Sequence, residues 1–97
     1  MLFSLRKKIL GDQMPNITSY ILFTTPFCKF CPNVKEFLTT SVKLPGKQLD
    51  ATQEDGNEKA INFKVSKVPT VIFLDNFGNE ITRAHNVSEI REILADG

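Results

Sequence analysis

The sequence predicts one α/β domain: a four-stranded mixed sheet with helices on both faces. Segments with strand character alternate with segments whose apolar residues recur at helical spacing. The first half has the strand–helix–strand order of a parallel unit, and the second half contains two strands joined by a short turn. The predicted order is therefore strand, helix, strand, helix, strand, strand, helix, and helices can cover both faces of such a sheet.

The first predicted strand and helix are separated by a proline. Residues 19–25 (SYILFTT) are apolar, β-branched and aromatic, which favours a buried strand, and Pro26 disfavours helical geometry at the residue before it. An apolar stripe at spacings of three and four then predicts a helix. The stripe consists of Cys31, Val34, Phe37, Leu38 and Val42. Because a helix tolerates Pro32 only in its first turn, Cys28 and Cys31 are placed at the helix N-terminus.

The next two elements are weaker. Residues 47–51 (KQLDA) are a short strand candidate. Residues 52–57 are polar and acidic, and we expect a loop there. Residues 58–64 are a short helix candidate, with Ile61 and Val65 facing inward.

The clearest strand is formed by residues 70–75 (TVIFLD). Residues 76–79 (NFGN) predict a turn in which Gly78 can take positive φ, so residues 80–84 can pair back as a hairpin. A last helix follows, with Ser88 as its N-cap. Its predicted inward face consists of Ile90, Ile93 and Leu94.

Composition limits the possible functions. The chain of 97 residues is 41% hydrophobic and 24% charged with a net charge of +1, which is ordinary for a soluble globular protein. That balance implies neither a nucleic acid nor an anionic membrane as partner, and no apolar run reaches the roughly 18 residues needed to cross a bilayer.

The domain boundary is predicted near Met14. We assign residues 14–97 to the domain and residues 1–13 to an N-terminal extension or short helix. The basic triplet of residues 6–8 lies between short apolar pieces, whereas a secretory signal would place it before a longer one. A solvated helix face is favoured over contact with acidic lipid, and a cytoplasmic location is expected.

Cys28 and Cys31 are the only cysteines, and their close spacing excludes a framework that joins distant segments. The thiolate is the nucleophile, and a free thiol of pKa about 8.5 is only about 3% ionised at pH 7. The unpaired N–H groups and dipole of a helix start favour an anion, and Lys29 adds a nearby cation. We therefore predict Cys28 as the nucleophile and Cys31, one turn inward, as the resolving cysteine that attacks the mixed disulfide.

A Cys-x-x-Cys pair can also bind metal or simply pack. Zinc and iron–sulfur sites usually need four strong ligands. His85 is the only histidine and no further cysteine exists, so a metal would need a dimer or carboxylates. We therefore predict no bound metal, and we interpret His85 as a surface residue.

Two motifs of this sequence resemble those of the thioredoxin and glutaredoxin superfamily. They are TPFCKFCP at residues 25–32 and KVPT at residues 67–70, and the similarity covers roughly residues 17–94. The pair is far more specific than either motif alone. The resemblance implies a thioredoxin-like fold, a thiol–disulfide oxidoreductase activity, a cis peptide bond before Pro69 beside the cysteines, and backbone hydrogen bonds from Val68 to an extended substrate segment.

The branch of that superfamily is less clear. Phe27 stands where thioredoxins usually carry tryptophan, and Lys29 and Phe30 replace their Gly-Pro, which is more similar to a glutaredoxin. Leu22 stands where thioredoxins tend to keep a buried acid, so the second cysteine must lose its proton to another group or to water. Residues 83–88 lack the Gly-Gly and acidic residue with which glutaredoxins bind glutathione. We predict a glutaredoxin-sized thioredoxin, with a glutathione-dependent glutaredoxin as the alternative.

The resemblance also implies the substrate-binding residues and the partners. The predicted contacts are Phe27, Lys29, Phe30, Val68 and Pro69. We expect a monomer with protein disulfides as substrates and no bound cofactor, nucleic acid or membrane. Its reducing equivalents would come from a flavin-containing disulfide reductase, such as a thioredoxin reductase, or from glutathione. Alternatives of another class are a non-catalytic thioredoxin-fold binding module and a metal carrier.

Overall fold

The computed structural model describes residues 16–95, so the predicted extension of residues 1–13 lies outside the described residues. The elements follow the predicted order. They are β1 (Ser19–Thr24), α1 (Cys31–Ser41), β2 (Gly46–Asp50), α2 (Glu54–Asn62), β3 (Thr70–Leu74), β4 (Glu80–Ala84) and α3 (Val87–Ala95). Within this part of the chain, each helix is too short or too polar to cross a membrane.

The sheet has the strand order β2-β1-β3-β4. β1 pairs parallel with β2 and antiparallel with β3, which in turn pairs antiparallel with β4. β3 is buried along its whole length and β1 at its four middle residues, whereas the edge strands β2 and β4 are more exposed. This difference explains why the two central strands are nearly continuous apolar runs and the edge strands are not.

Two apolar clusters lie on opposite faces of the sheet, because successive strand residues point to opposite sides. We call the side packed by α1 and α3 the α1/α3 face, and the side packed by α2 the α2 face. The buried residues of the α1/α3 face are Tyr20, Leu22, Val34, Leu38, Val71, Phe73, Ala84 and Ile90. Those of the α2 face are Ile21, Phe23, Ala60, Ile72 and Leu74.

The predicted inward faces of α1 and α3 are confirmed. In α1 the residues Cys31, Val34 and Leu38 are buried, and the other members of the stripe pack partly buried against the same cluster. In α3, Ile90 is buried and its two predicted neighbours on the inward face are partly buried. Both helices therefore pack on the α1/α3 face.

The prediction for α2 was wrong at its start. Residues 54–57 belong to the helix rather than to a loop. Glu54 and Asp55 lie in its first turn, where carboxylates interact favourably with the helix dipole. The polar, acidic composition that suggested a loop is therefore a feature of this helix start. The helix ends at Asn62, and Lys64 beyond it has a φ of 56°.

The inward face of α2 also differs from the prediction. Ile61 is 67% exposed, and the buried residues of the helix are Gly56 and Ala60. A Cβ built on Gly56 would collide with the backbone carbonyl of Asp50, the last residue of β2. Small residues thus form the contact because the helix backbone lies close to β2. Val65 is partly buried against the α2-face cluster, as predicted.

The start of α3 corrects the prediction of Ser88 as its N-cap. The helix begins at Val87, so Ser88 lies inside it. The side-chain oxygen of Asn86 accepts a hydrogen bond from the N–H of Glu89 at 2.8 Å. The Glu89 carboxylate in turn accepts the N–H of His85 at 2.7 Å. This reciprocal arrangement resembles a capping box with Asn86 as the cap.

The β3–β4 turn forms as predicted, with Gly78 at a φ of 84°. The Asp75 carboxylate accepts backbone N–H groups from Phe77 at 2.8 Å and from Asn79 at 2.9 Å. These hydrogen bonds, that from the Asn79 backbone first, hold the pKa of Asp75 below its usual value.

Candidate active site

The two cysteines lie where β1 gives way to α1. They are joined by a disulfide, with their Cα atoms 5.5 Å apart. Cys31 is the first residue of α1, and Cys28 lies in the preceding turn, where its N–H contacts the carbonyl of Thr25 at 3.3 Å. The helix thus begins three residues later than Cys28, one turn beyond the predicted nucleophile.

The sulfur of Cys28 takes the position of a helix cap. Phe30 is the N-cap residue of α1, but its side chain makes no capping hydrogen bond. Instead the N–H of Cys31 donates to the Cys28 sulfur over 3.1 Å. The first turn contains no acidic residue. When the disulfide is reduced, a thiolate at Cys28 is therefore favoured by the Cys31 N–H that donates to it and by the positive end of the helix.

The two sulfur-bearing residues differ in exposure. Cys28 is partly exposed, whereas Cys31 is only 5% exposed because it begins the buried stripe of α1. Phe27 and Phe30 stand around them, 88% and 68% exposed. Lys29, between the aromatic residues, is also exposed. Of the two sulfur atoms, that of Cys28 is therefore the more accessible from solvent, and exposed aromatic residues flank it.

The second predicted motif, which precedes β3, lies beside the start of α1. The peptide bond between Val68 and Pro69 is cis, as the resemblance implied. Both residues share a groove of about 620 Å³ with Phe30, and we call this the cis-proline groove. Its lining is Phe30, Asn33, Val34, Lys67, Val68, Pro69, His85, Asn86, Val87 and Ser88. Three of the five predicted substrate contacts, Phe30, Val68 and Pro69, line this groove. The other two, Phe27 and Lys29, are exposed residues directly before and after Cys28.

Two smaller grooves adjoin the same region. One of about 240 Å³ is lined by Thr24, Thr25, Pro26, Cys28, Cys31, Pro32, Lys35 and Gln48. The other, of about 260 Å³, is lined by Thr25, Ala51, Asn57, Ala60, Ile61, Val65, Ser66, Lys67 and Val68. Across the three grooves the ionisable side chains other than the cysteines are Lys35, Lys67 and His85, and none is a carboxylate. The described residues that line these grooves are therefore neutral or basic.

His85 corrects the interpretation as a surface residue. It is half-buried and lines the cis-proline groove. Its Nδ1 lies 3.2 Å from the hydroxyl of Thr70, which is 1% exposed. That hydroxyl donates to the carbonyl of Lys67 at 2.6 Å. Because a hydroxyl has one proton and a carbonyl only accepts, the proton of the His85–Thr70 bond must belong to Nδ1.

The position of His85 depends on the register of the β3–β4 hairpin. Val71 of β3 pairs with Ala84 of β4. One residue further along an antiparallel pair, Thr70 faces His85. The register is irregular between Phe73 and Leu74, since Leu74 pairs with Glu80 but Phe73 pairs with Thr82. A regular hairpin continued from the Leu74–Glu80 pair would have set Thr70 opposite Ala84, so the sequence alone did not reveal this position of the histidine.

Two further predictions concern the buried position of Leu22 and metal binding. Leu22 is fully buried on the α1/α3 face, so no acid stands at that position. The route by which the second cysteine loses its proton stays a prediction. Within residues 16–95, no three histidine, cysteine or carboxylate side chains are grouped as metal ligands would be.

No protein-family model and no curated protein matches this sequence. Solved structures do match it. Fasciola hepatica thioredoxin is 21% identical at a TM-score of 0.66, over 87% of this chain and 84% of that chain. Thioredoxin from Trypanosoma brucei brucei is 18% identical at 0.67, over 88% and 78%. Thioredoxin 1 from Thermosipho africanus is 22% identical at 0.62, over 81% and 89%. The chain therefore has the thioredoxin fold predicted from its two motifs, with a Cys-x-x-Cys disulfide at the start of α1.

Proposed function

We propose that this protein is a thiol–disulfide oxidoreductase that reduces protein disulfides, with Cys28 as nucleophile and Cys31 as resolving cysteine. The observation that carries the proposal is the hydrogen bond from the Cys31 N–H to the Cys28 sulfur at the helix start. It supplies a donor to the sulfur that must become anionic. The partly exposed Cys28 and the buried Cys31 suit an attacking and a resolving role.

The reaction transfers two electrons from the dithiol to the substrate. The Cys28 thiolate attacks one sulfur of the substrate disulfide, the substrate S–S bond breaks, and the other substrate sulfur leaves as a thiolate that takes a proton from water. Cys31 then loses its proton and attacks the Cys28 sulfur of the mixed disulfide. The second substrate sulfur leaves, and the enzyme ends with the Cys28–Cys31 disulfide found in the structure.

The partners follow from the surroundings of the cysteines. Exposed Phe27 and Phe30 form an apolar rim that suits contact with a protein surface. Protein disulfides are therefore the proposed substrates, and a flavin-containing disulfide reductase is the proposed source of electrons. A glutathione-dependent reaction is the alternative, and the absence of a Gly-Gly-acid motif in residues 83–88 argues against it.

Reduction of insulin driven by dithiothreitol tests the activity. We expect Cys28→Ser to abolish turnover, because the attacking sulfur is gone. Cys31→Ser retains that sulfur and should instead accumulate a mixed disulfide, visible by mass spectrometry as an adduct that dithiothreitol removes. Unchanged turnover in Cys28→Ser would overturn the proposal.

Two coupled assays decide the source of electrons. One supplies glutathione with glutathione reductase, and the other supplies a thioredoxin reductase, each with NADPH. We expect turnover in the second system. Turnover only in the first would replace this branch of the proposal by the glutathione-dependent alternative.

A further inference from the structure

We infer that Thr70 and His85 are positioning residues for substrate binding, because together they orient the peptide group that precedes Val68. The N–H of that peptide group is the donor offered to an extended substrate segment. This role rests on the proposed function, because it concerns how the substrate of that function is bound. Thr70 lines none of the three grooves and is only 1% exposed, so it acts through other groups rather than by touching substrate.

The peptide group between Lys67 and Val68 is held on its carbonyl side. The Thr70 hydroxyl donates to the Lys67 carbonyl at 2.6 Å. Within residues 16–95 the only cis peptide bond is that before Pro69, so this peptide group is trans and planar, and its C=O and N–H point in opposite directions. The carbonyl therefore faces a buried hydroxyl, and the Val68 N–H faces away from it.

The Val68 N–H is available to a ligand. Among residues 16–95, no group accepts a hydrogen bond from it. Val68 lines the cis-proline groove and is only partly buried, so a substrate carbonyl can approach. A backbone donor that is removed from water needs a partner, and an extended segment presents its carbonyls at regular spacing. The donor therefore suits recognition of the substrate main chain.

The hydrogen bond with His85 fixes the direction of the Thr70 hydroxyl. The Nδ1–H of His85 donates to that oxygen over 3.2 Å, which leaves the hydroxyl proton for the Lys67 carbonyl. A hydroxyl that accepts one hydrogen bond is polarised and donates a stronger one. The neutral and the charged imidazole both carry the Nδ1 proton in this arrangement, so the positioning role needs no change in the protonation of His85.

The start of α3 holds His85 in place. Its backbone N–H donates to the Glu89 carboxylate at 2.7 Å, and Asn86 caps the same helix. The chain of hydrogen bonds thus runs from α3 through His85 and Thr70 to the Lys67 carbonyl. Segments far apart in sequence therefore determine the orientation of one peptide group beside the disulfide.

The experiment compares two substrates that differ in whether they have a peptide backbone. One is an extended peptide whose single cysteine is joined by a disulfide to 2-mercaptoethanol, and the other is bis(2-hydroxyethyl) disulfide, which has no peptide group. With dithiothreitol as reductant and the uncatalysed rate subtracted, we take the ratio of kcat/KM for the peptide to that for the small disulfide. This ratio cancels changes in the reactivity of Cys28 and in the folded fraction, because both substrates share them.

Two pairs of variants remove and restore the hydrogen bonds. Thr70→Val removes the hydroxyl and keeps the shape of the side chain, whereas Thr70→Ser keeps the hydroxyl. His85→Leu removes the Nδ1 donor, whereas His85→Asn returns an N–H at a similar position. The matched control is Thr82→Val, because Thr82 is a partly buried residue of β4 that lines none of the three grooves.

We expect Thr70→Val and His85→Leu to lower the ratio about two- to tenfold, mainly through a higher KM for the peptide. The reason is that the Val68 N–H then loses its fixed orientation. Thr70→Ser and His85→Asn should retain most of the ratio, and Thr82→Val should leave it unchanged.

The amide proton of Val68 gives a direct readout by NMR. In the mixed disulfide that Cys31→Ser forms with the peptide, a hydrogen bond to a substrate carbonyl should move this resonance downfield. We expect a smaller movement when Thr70→Val is added to Cys31→Ser, because the donor is then less well oriented.

The outcomes separate this role from the function on which it rests. Equal losses for both substrates in Thr70→Val, or an unchanged ratio, would overturn the positioning role and leave the oxidoreductase in place. If the unaltered protein turns over neither substrate, the proposed function fails and the positioning role fails with it. Should Thr70→Val not fold, His85→Leu and His85→Asn decide the comparison, because His85 is only half-buried.

Discussion

The two faces of the sheet are covered in different ways. On the α1/α3 face two helices insert large side chains, among them Leu38 and Ile90. On the α2 face a single helix of 9 residues presents Gly56 and Ala60 as its buried residues. Large side chains hold a helix away from a sheet, whereas small ones let its backbone approach. The helices of the first face therefore contribute large buried side chains, whereas on the second face the helix contributes small residues and the large buried side chains, among them Phe23 and Ile72, come from the strands.

The packing of α1 on its face of the sheet also positions the disulfide. Cys31 begins the buried stripe of α1, so packing on the α1/α3 face fixes the start of that helix. The cis-proline groove opens between α1, α3 and the residues before β3. The α2 face instead contributes Val68, the residue before the cis bond, from its partly buried rim. Both faces thus meet at the candidate active site.

The largest expected effect contrasts one leucine with one isoleucine. Leu38→Ala removes a fully buried side chain from the α1/α3 face and should lower the free energy of unfolding by about 2–5 kcal/mol. Ile61→Ala on α2 should change it by less than about 0.5 kcal/mol, because that side chain is mostly exposed. Urea unfolding followed by circular dichroism measures both. Equal losses would contradict the difference between the faces.

The second prediction concerns whether Gly56→Ala raises or lowers the free energy of unfolding. Helix propensity alone favours Gly56→Ala by about 0.5–1 kcal/mol. The structure reverses that sign, because the new Cβ would meet the Asp50 backbone. We expect a loss of about 1–3 kcal/mol in the free energy of unfolding. Glu58→Ala, exposed on the same helix, is the control, and a stabilised Gly56→Ala would show that α2 does not pack closely on β2.

The third prediction compares two residues at the start of α3. Asn86→Ala removes the cap and should lower the free energy of unfolding by about 1 kcal/mol. Ser88→Ala lies inside the helix and should change it by only about a few tenths. Thermal or urea unfolding of the pair checks this. A larger loss in Ser88→Ala would instead show that Ser88 caps the helix, as the sequence predicted.

The smallest expected effect lies in the hairpin turn, outside both faces. The pKa of Asp75 is lowered in the folded state, so its contribution to stability is complete above its unfolded value, near 3.8, and is lost as pH falls through the lower folded value. In Asp75→Asn the acid side of the stability curve should therefore be flatter.

Urea unfolding at a series of pH values between about 2 and about 6 measures this curve. Glu58→Gln is the control, since that carboxylate accepts no side-chain hydrogen bond from the residues between 16 and 95. Parallel curves for Asp75→Asn and the unaltered protein would contradict the role of the turn hydrogen bonds.

Much of the fold could be predicted because its signals are local. The continuous apolar runs around Leu22 and Val71 predicted the central strands, and Pro32 marked the first turn of α1. The wrong predictions share a different cause, which is that they depend on tertiary geometry. Whether Asn86 or Ser88 caps α3 depends on backbone dihedral angles, which their similar capping preferences do not reveal. Ile61 was expected inside because periodicity counts apolar residues and cannot show how closely α2 approaches β2.

The sequence by itself determined the elements, the pairing of Cys28 with a helix start and the identity of the second motif, because these depend on residues close together in the chain. Only the tertiary structure brought Phe30 and Pro69 to one groove, since residues far apart in sequence become neighbours through strand pairing. It also assigned the Nδ1 proton of His85, because a single hydroxyl proton on Thr70 is already used by the Lys67 carbonyl.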